Sequence, residues 1–284
     1  MDMPTGRIEQ PHALVRRVLA PNPSAFTYTG TQTFIVGHGA VAVIDPGPGD
    51  LAHVEALLRS LEGEGVAAIV CTHTHRDHSP ASRALAAATG APIVGCAPLA
   101  LEDDGPRADA SFDFDYAPNR VLQDGERLEG EGWTLTALAT PGHTSNHLCL
   151  ALEGTGILFT GDHVMGWSTT IVSPPDGDMA DYMASLDRLL ARDDRVYYPA
   201  HGPAIEQPHD HVRKLIEHRR MREQQVLERL GGGATTIEAM VPAMYRDTDP
   251  RLYPAAARSV LAHLLDLERR GLVARGGETW TRRG

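Results

Sequence analysis

Short apolar runs and stretches of helical period alternate along the first 205 residues of this chain; beyond them helical periods dominate until a last short hairpin. Residues 31–36 and 40–44 read as two strands joined across Gly37-His38-Gly39, the second ending at Asp45-Pro46-Gly47. A helix is predicted over 51–61, an apolar strand over 66–72, a helix over 81–88 and a short strand at 92–95. β character returns at 133–139, 147–152 and 157–160, followed by a helix at 181–191 and a strand at 196–199. A strand pair followed by β-α-β units in two halves predicts a layered α/β architecture with helices covering the sheets. Residues 100–117, with Asp103, Asp104, Asp113 and Asp115, read as an acidic surface loop near the site.

Helices are predicted at 211–230, ended by Gly231-Gly232-Gly233, at 235–245 and at 255–270, with a hairpin at 278–281. Three helices closed by a two-stranded wing describe a winged-helix module, so a division into 1–205 and 206–284 is expected. Charge divides the same way. Residues 206–284 carry 14 Arg or Lys against 11 Asp or Glu, a net +3, which leaves −14 of the total −11 on residues 1–205. So acidic a main domain argues against wrapping nucleic acid, and DNA binding rests on the module's fold alone, a weak warrant. Arg219, Arg220 and Arg222 read as the solvated face of a helix.

Apolar content of 42% suffices for a packed core, and no segment approaches the ~20 apolar residues that span a bilayer. Cys71, Cys96 and Cys149 form no C-x-x-C pair, and Met1-Asp2-Met3-Pro4 lacks the basic and apolar regions of a signal peptide. Together these lead to an expected cytoplasmic location with reduced thiols.

The chemistry concentrates in His73-x-His75-x-Asp77-His78, between the apolar run at 66–70 and Ser79-Pro80, on a strand-to-helix loop. Imidazole nitrogen and carboxylate oxygen suit zinc, with iron or manganese as further possibilities. Three later islands each set a donor at a strand end beside a glycine: Gly142-His143, Gly161-Asp162 and His201-Gly202. The donors then number seven: His73, His75, Asp77, His78, His143, Asp162 and His201. Seven suits two metals sharing one carboxylate and exceeds what one tetrahedral ion takes. Two cations ~3.5–4 Å apart acidify a water held between them, for attack on a carbonyl carbon or a phosphorus. His147 is a candidate leaving-group acid or hydrogen-bond donor behind the ligands, and Asp45 either orients a ligating imidazole or caps the Pro46-Gly47 bend. His163 either packs or assists Asp162, and His12, His38, His53, His209, His211, His218 and His263 read as surface or satisfied polar residues.

These islands resemble the metallo-β-lactamase-fold hydrolases, whose pattern is H-x-H-x-D-H followed by Gly-His, Gly-Asp and a late His-Gly. The resemblance covers residues up to about 205. It implies an αββα sandwich with His73, His75 and His143 on one metal, Asp77, His78 and His201 on the other, and Asp162 bridging; Asp77 would also hold the nucleophile's proton. Tyr28-Thr29-Gly30-Thr31-Gln32-Thr33, residues 140–147, 166–170 and 182–186 and the winged-helix tail are similar to the β-lactamase-like protein 2 subgroup, which implies cleavage of single-stranded RNA. The ligand set equally resembles glyoxalase II, a thioester hydrolase of S-acylglutathione, although the tail does not match that enzyme's basic helical end. Lactone or other ester hydrolysis is a third possibility. A mononuclear iron sulfur dioxygenase of the same fold keeps similar ligands and is the alternative outside hydrolysis. A true β-lactamase is not expected, because Asp162 in a bridging position marks other branches.

Overall fold

The computed structural model describes residues 4–100 and 112–283. Of the acidic segment expected to be a loop, residues 101–111, including Asp103 and Asp104, lie outside the described residues. The first sheet has seven strands in sequence order: β1 (Ile8–His12), β2 (Val15–Leu19), β3 (Gln32–Val36), β4 (Ala40–Ile44), β5 (Gly65–Cys71), β6 (Ile93–Gly95) and β7 (Arg120–Val121). It is antiparallel from β1 to β4 and parallel from β4 to β7. The second sheet runs β12-β11-β10-β9-β8, from β8 (Arg127–Gly130), β9 (Trp133–Ala139), β10 (Leu148–Leu152), β11 (Ile157–Gly161) and β12 (Val196–Pro199), with only β11 and β12 parallel.

Period-2 alternation explains the layering. Along β10, Leu148, Leu150 and Leu152 face the first sheet and join Phe34, Ile44, Val70 and Phe159 in the central core. Cys149 and Ala151 point the other way, toward α3 (Met179–Leu190) and α4 (Pro208–Leu230), with Tyr182, Leu186, Val212 and Leu215. On the far side, α1 (Leu51–Ser60) and α2 (Ala81–Thr89) cover Ile35, Val43 and Ile69 with Leu57 and Leu85. Both faces of each sheet are buried, giving the expected αββα order. Asp50 caps α1 by accepting from the His53 N–H at 2.9 Å, and Gly90 ends α2 at φ 74°.

The tail consists of the second half of α4, α5 (Ile237–Met244), α6 (Tyr253–Arg269) and a three-stranded sheet in the order β13 (Thr235–Thr236), β15 (Thr279–Arg282), β14 (Val273–Gly276). Val226, Leu230, Val260, Leu264 and Trp280 form its core. The wing thus gains a third strand. Thr235 and Thr236 pair with Trp280 and Thr279, and Thr236 then caps α5, so the helix expected from 235 starts two residues later. No helix among the described residues is long and apolar enough to cross a membrane.

Candidate metal centre

Four loops meet where the two sheets touch. The β5–α2 loop carries His73, His75, Asp77 and His78, the β9–β10 loop His143, and the ends of β11 and β12 Asp162 and His201. Two backbone bonds join the sheets here: Leu148 N–H donates to Thr72 O at 2.9 Å and Gln32 N–H to Ala200 O at 2.8 Å. Glycine is required at two of these positions. At Gly161 (φ 48°) a Cβ would stand 2.7 Å from His147 Nε2, and at Gly142 (φ 134°) it would stand 2.3 Å from the Tyr182 Cα.

All seven predicted donors come together, in two sets whose ligand atoms lie within 4.8 Å of one another: His73, His75, His143 and Asp162, and Asp77, His78 and His201. In the first set, His73 Nε2 and His143 Nε2 converge on His75 Nδ1 at 3.0 and 3.1 Å. His143 Nδ1–H donates to Ile171 O at 2.7 Å, and His73 Nδ1 lies 3.0 Å from Thr72 Oγ1, which itself donates to Asp45 Oδ2 at 2.8 Å. Both Nε2 atoms therefore bring lone pairs to the same point, an arrangement that a cation resolves.

In the second set, His201 Nε2 stands 3.1 Å from Asp77 Oδ2 and 3.2 Å from Asp162 Oδ1, and His78 Nε2 stands 3.2 and 3.5 Å from the same atoms. Asp162 Oδ2 points the other way, 3.7 Å from His143 Nε2. One oxygen of Asp162 thus faces each set. His78 Nε2 and Asp162 Oδ1 are buried without a hydrogen bond of acceptable geometry, as ligand atoms would be.

Electrostatics point the same way. Burial drives His73 well below the usual imidazole range and His75 to about 3, helped by neighbouring imidazoles. Burial opposes charge at His201 and His78 too, but there the facing carboxylates win: Asp162 and Asp77 raise His201 to about 10, and Asp77 and Asp162 raise His78 well above its ordinary value. The same two carboxyls, although burial opposes their ionisation, are held well below the usual carboxylate range by His78 and His201. Buried carboxylates at this point call for positive charge, which divalent cations supply.

Asp45 has the orienting role that was one of its two expected readings. Its Oδ2 accepts from His78 Nδ1 at 3.0 Å and from Thr72 Oγ1, and its Oδ1 accepts from Thr72 N–H at 2.8 Å. It therefore fixes one imidazole of each set, at a backbone φ of 48°, a strained value for a side-chain-bearing residue. Asp45→Asn keeps the volume but turns a donor toward His78 or Thr72; metal affinity should fall ~10–100-fold, read by competition with a chromogenic chelator, and unchanged affinity would remove this role.

His147 lies behind the ligands. Its Nε2 accepts from Asp162 N–H at 3.1 Å and its Nδ1 lies 3.0 Å from Thr140 Oγ1, so neither nitrogen is free to protonate a leaving group. Toward Asp162 it is therefore an acceptor, where a donor or a leaving-group acid was expected. His163 is fully buried, has no partner in good hydrogen-bond geometry among the described residues and packs edge-on to Tyr182 at 5.0 Å. His263, expected to be on the surface or satisfied, is likewise buried with both nitrogens unpartnered.

Supports from other loops were not legible in the sequence. Thr31 Oγ1 donates to Asp77 Oδ2 at 3.1 Å, and Asn22 brackets Thr31 with bonds to its hydroxyl and N–H, both at 2.9 Å. Thr170 Oγ1 donates to Asp162 O at 2.7 Å. A hydroxyl at a strand end or loop carries no signal of its own; only the Tyr28–Thr33 and 166–170 patterns touched on two of them, Thr31 and Thr170. Asp113 corrects the reading of an exposed acidic loop: it is buried, accepting from Ser79 Oγ and Arg83 Nη1, each at 2.8 Å, beside the metal loop. Arg219 corrects the reading of a solvated face: it is 4% exposed, donates to Thr170 O and lies over the Tyr182 ring.

Buried neutral histidines make the metal-free fold acid-labile. Burial lowers His53 to about 4 and His163 and His263 to about 3. The unfolded chain takes up these protons near pH ~6.5, so it binds more protons than the fold between there and about 3, and stability falls as pH drops through that window. His201, raised to about 10, acts oppositely: its contribution is complete below ~6.5 and is lost as pH rises toward 10. Urea midpoints of the metal-free protein should fall on both sides of pH ~6.5; a flat midpoint from pH 7 to 4 would contradict this.

The chain matches the model of the metallo-beta-lactamase superfamily over residues 27–201 and that of the beta-lactamase-associated winged helix domain over 236–280. It is 33% identical to a beta-lactamase-like protein 2 homolog of Drosophila melanogaster, covering 90% of this chain and 88% of that one. It is 30% identical to an atrochrysone carboxyl ACP thioesterase of Aspergillus fumigatus, over 98% and 88%. A beta-lactamase domain protein of Burkholderia ambifaria superposes with a TM-score of 0.83 at 21% identity, over 98% of this chain and 94% of that one. With relatives named as thioesterases and lactamase-like proteins, the chain is a hydrolytic enzyme, and by both matches it belongs to the metallo-beta-lactamase superfamily.

Proposed function

We propose that this protein is a dinuclear, zinc-dependent hydrolase of thioesters, with residues 1–205 as the catalytic unit and 206–284 as the module that limits access to it. The observation that carries the metal assignment is Asp162, one oxygen of which faces each set of donors. His73, His75 and His143 would hold one zinc ion, Asp77, His78 and His201 the other, and Asp162 both. When bound, two such ions polarise a carbonyl oxygen and acidify a water.

The chain's own residues favour thioesters within this class. The cavity beside the donors is about 40 Å³, and Phe26, Thr27, Met165 and Ile171 complete its wall on the side away from them. Asp77, whose Oδ2 accepts from Thr31 Oγ1, would hold the proton of the attacking water. His147, the leaving-group acid that the sequence offers, has both nitrogens taken. A thiol, with a pKa of ~8.5, departs as thiolate without such help, whereas an alkoxide does not. The C–S bond breaks as the water oxygen bonds to carbon, giving a carboxylic acid and a thiol. Relatives named as acyl-carrier-protein thioesterases support the same choice.

The test compares an S-acyl cysteamine thioester, the matched oxygen ester, S-acylglutathione and single-stranded RNA on zinc-loaded protein. The thioester should turn over at least ~10-fold faster than the oxygen ester. RNA cleavage without thioester turnover would move the activity to phosphodiesters, and one iron per chain with oxygen uptake and no hydrolysis would move it to the oxygenase.

A further inference from the structure

A second cavity of about 280 Å³ lies between the catalytic loops and the tail, and shares Phe26 and Ile171 with the metal cavity. Three aromatic side chains line it: Phe26 and Trp167 from the catalytic side and Tyr245 from the tail. Trp167 stacks on Tyr28 at 5.1 Å and 20°, and both rings are more than a third exposed, an aromatic lip with nothing over it among the described residues. The remaining wall holds two arginines, Arg219 and Arg222, and no carboxylate, in a chain of net charge −11.

Neither arginine forms an ion pair among the described residues. The buried Arg219 leaves Nε without a partner. Arg222 lies over Tyr245 at 4.1 Å, donates from Nε to His218 Nε2 at 3.4 Å and from Nη1 to Gln225 Oε1 and Met244 O, leaving Nη2 without a bond among the described residues. The local field is positive enough that burial together with Arg219 and Arg222 lowers His218 to about 4. Thr170 ties the cavity to the metal loop, accepting from Arg219 at its carbonyl and donating from its hydroxyl to Asp162 O.

We infer that this cavity is the acyl-side subsite, binding a planar acyl group that carries its own anionic substituent, with Arg222 as the anchor and Trp167 as the stacking platform. The acyl assignment rests on the thioesterase reading; the planar anion does not. Aromatic walls select the planar shape, and unpaired guanidinium groups select carboxylate or phosphate. At about 280 Å³ the space falls just below the usual range of ligand pockets, ~300–1,000 Å³, room for a small acyl group and not for a folded carrier protein. The leaving thiol, on whatever carrier, must stay outside.

Calorimetry on the zinc-loaded full chain tests the site apart from turnover, with isophthalate, phenyl phosphate and benzyl alcohol as probes. Isophthalate or phenyl phosphate should bind, benzyl alcohol should not, and the tighter of the two anions names the substituent. Arg222→Gln and, independently, Trp167→Ala should each weaken that anion about tenfold, while Arg220→Gln, exposed on the same helix, should leave it unchanged. Anion binding that ignores both substitutions would overturn the proposal. So would a single-stranded RNA oligomer that takes the Arg222-dependent site while neither small anion binds. If the anions bind in this way and no thioester turns over, the thioesterase reading fails and the subsite stands.

Discussion

Asp162→Ala should cost turnover on the order of 10³-fold or more and remove metal from both sets of donors, not from one. A carboxylate that served one ion would leave the other in place. Here Oδ1 stands 3.2 Å from His201 Nε2 and 3.5 Å from His78 Nε2, while Oδ2 faces His143. Its removal leaves six donors but deletes the negative charge shared between the ions, which then repel each other at close range. Metal content by mass spectrometry separates the cases: close to zero supports the shared carboxylate, and one tightly held ion per chain with residual turnover would assign Asp162 to a single ion. His147, which accepts from the Asp162 N–H, predicts a weaker version of the same defect when replaced.

The largest effect on stability should come from Gly142→Ala. The added methyl would stand 2.3 Å from the Tyr182 Cα and 2.4 Å from its nitrogen, both backbone atoms of α3 that no rotamer change can move. The φ of 134° is itself nearly closed to other residues. Backbone strain and the displaced helix should together cost at least ~3 kcal/mol. Because His143 follows directly, the first set of donors should loosen in parallel. Urea unfolding of the metal-free variant measures the loss without contribution from ions; a midpoint within error of the parent would show that α3 adjusts freely.

Much of this was legible in the sequence because ligand chemistry and strand ends coincide. His73, His75, Asp77 and His78 announce themselves by residue type and spacing, and His143, Asp162 and His201 by a glycine beside a donor. The two sheets were legible where both faces are buried, as in β4 and β10, since an unbroken apolar run has few other readings. The edge strand β1 and its neighbour β2 were not. Val15-Arg16-Arg17-Val18-Leu19 shows too few apolar positions, because the long stems of Arg16 and Arg17 do the covering while their ends pair with Glu64 and Glu9. The hydroxyls and amide that hold the donors, Thr31, Thr72, Thr170 and Asn22, were equally hidden, since their meaning comes from partners 8 to 46 residues away. Arg219 was misread for a related reason. On α4 it has charged neighbours and a polar period, and only the approach of the Thr170 loop makes its position an interior one.

Anomalous scattering at the zinc edge from crystals of the zinc-loaded protein tests the central claim most directly. Two peaks ~3.5–4 Å apart are expected, one coordinated by His73, His75 and His143, the other by Asp77, His78 and His201, with one oxygen of Asp162 on each. A single peak, or two peaks that leave Asp162 bound to only one ion, would contradict the account.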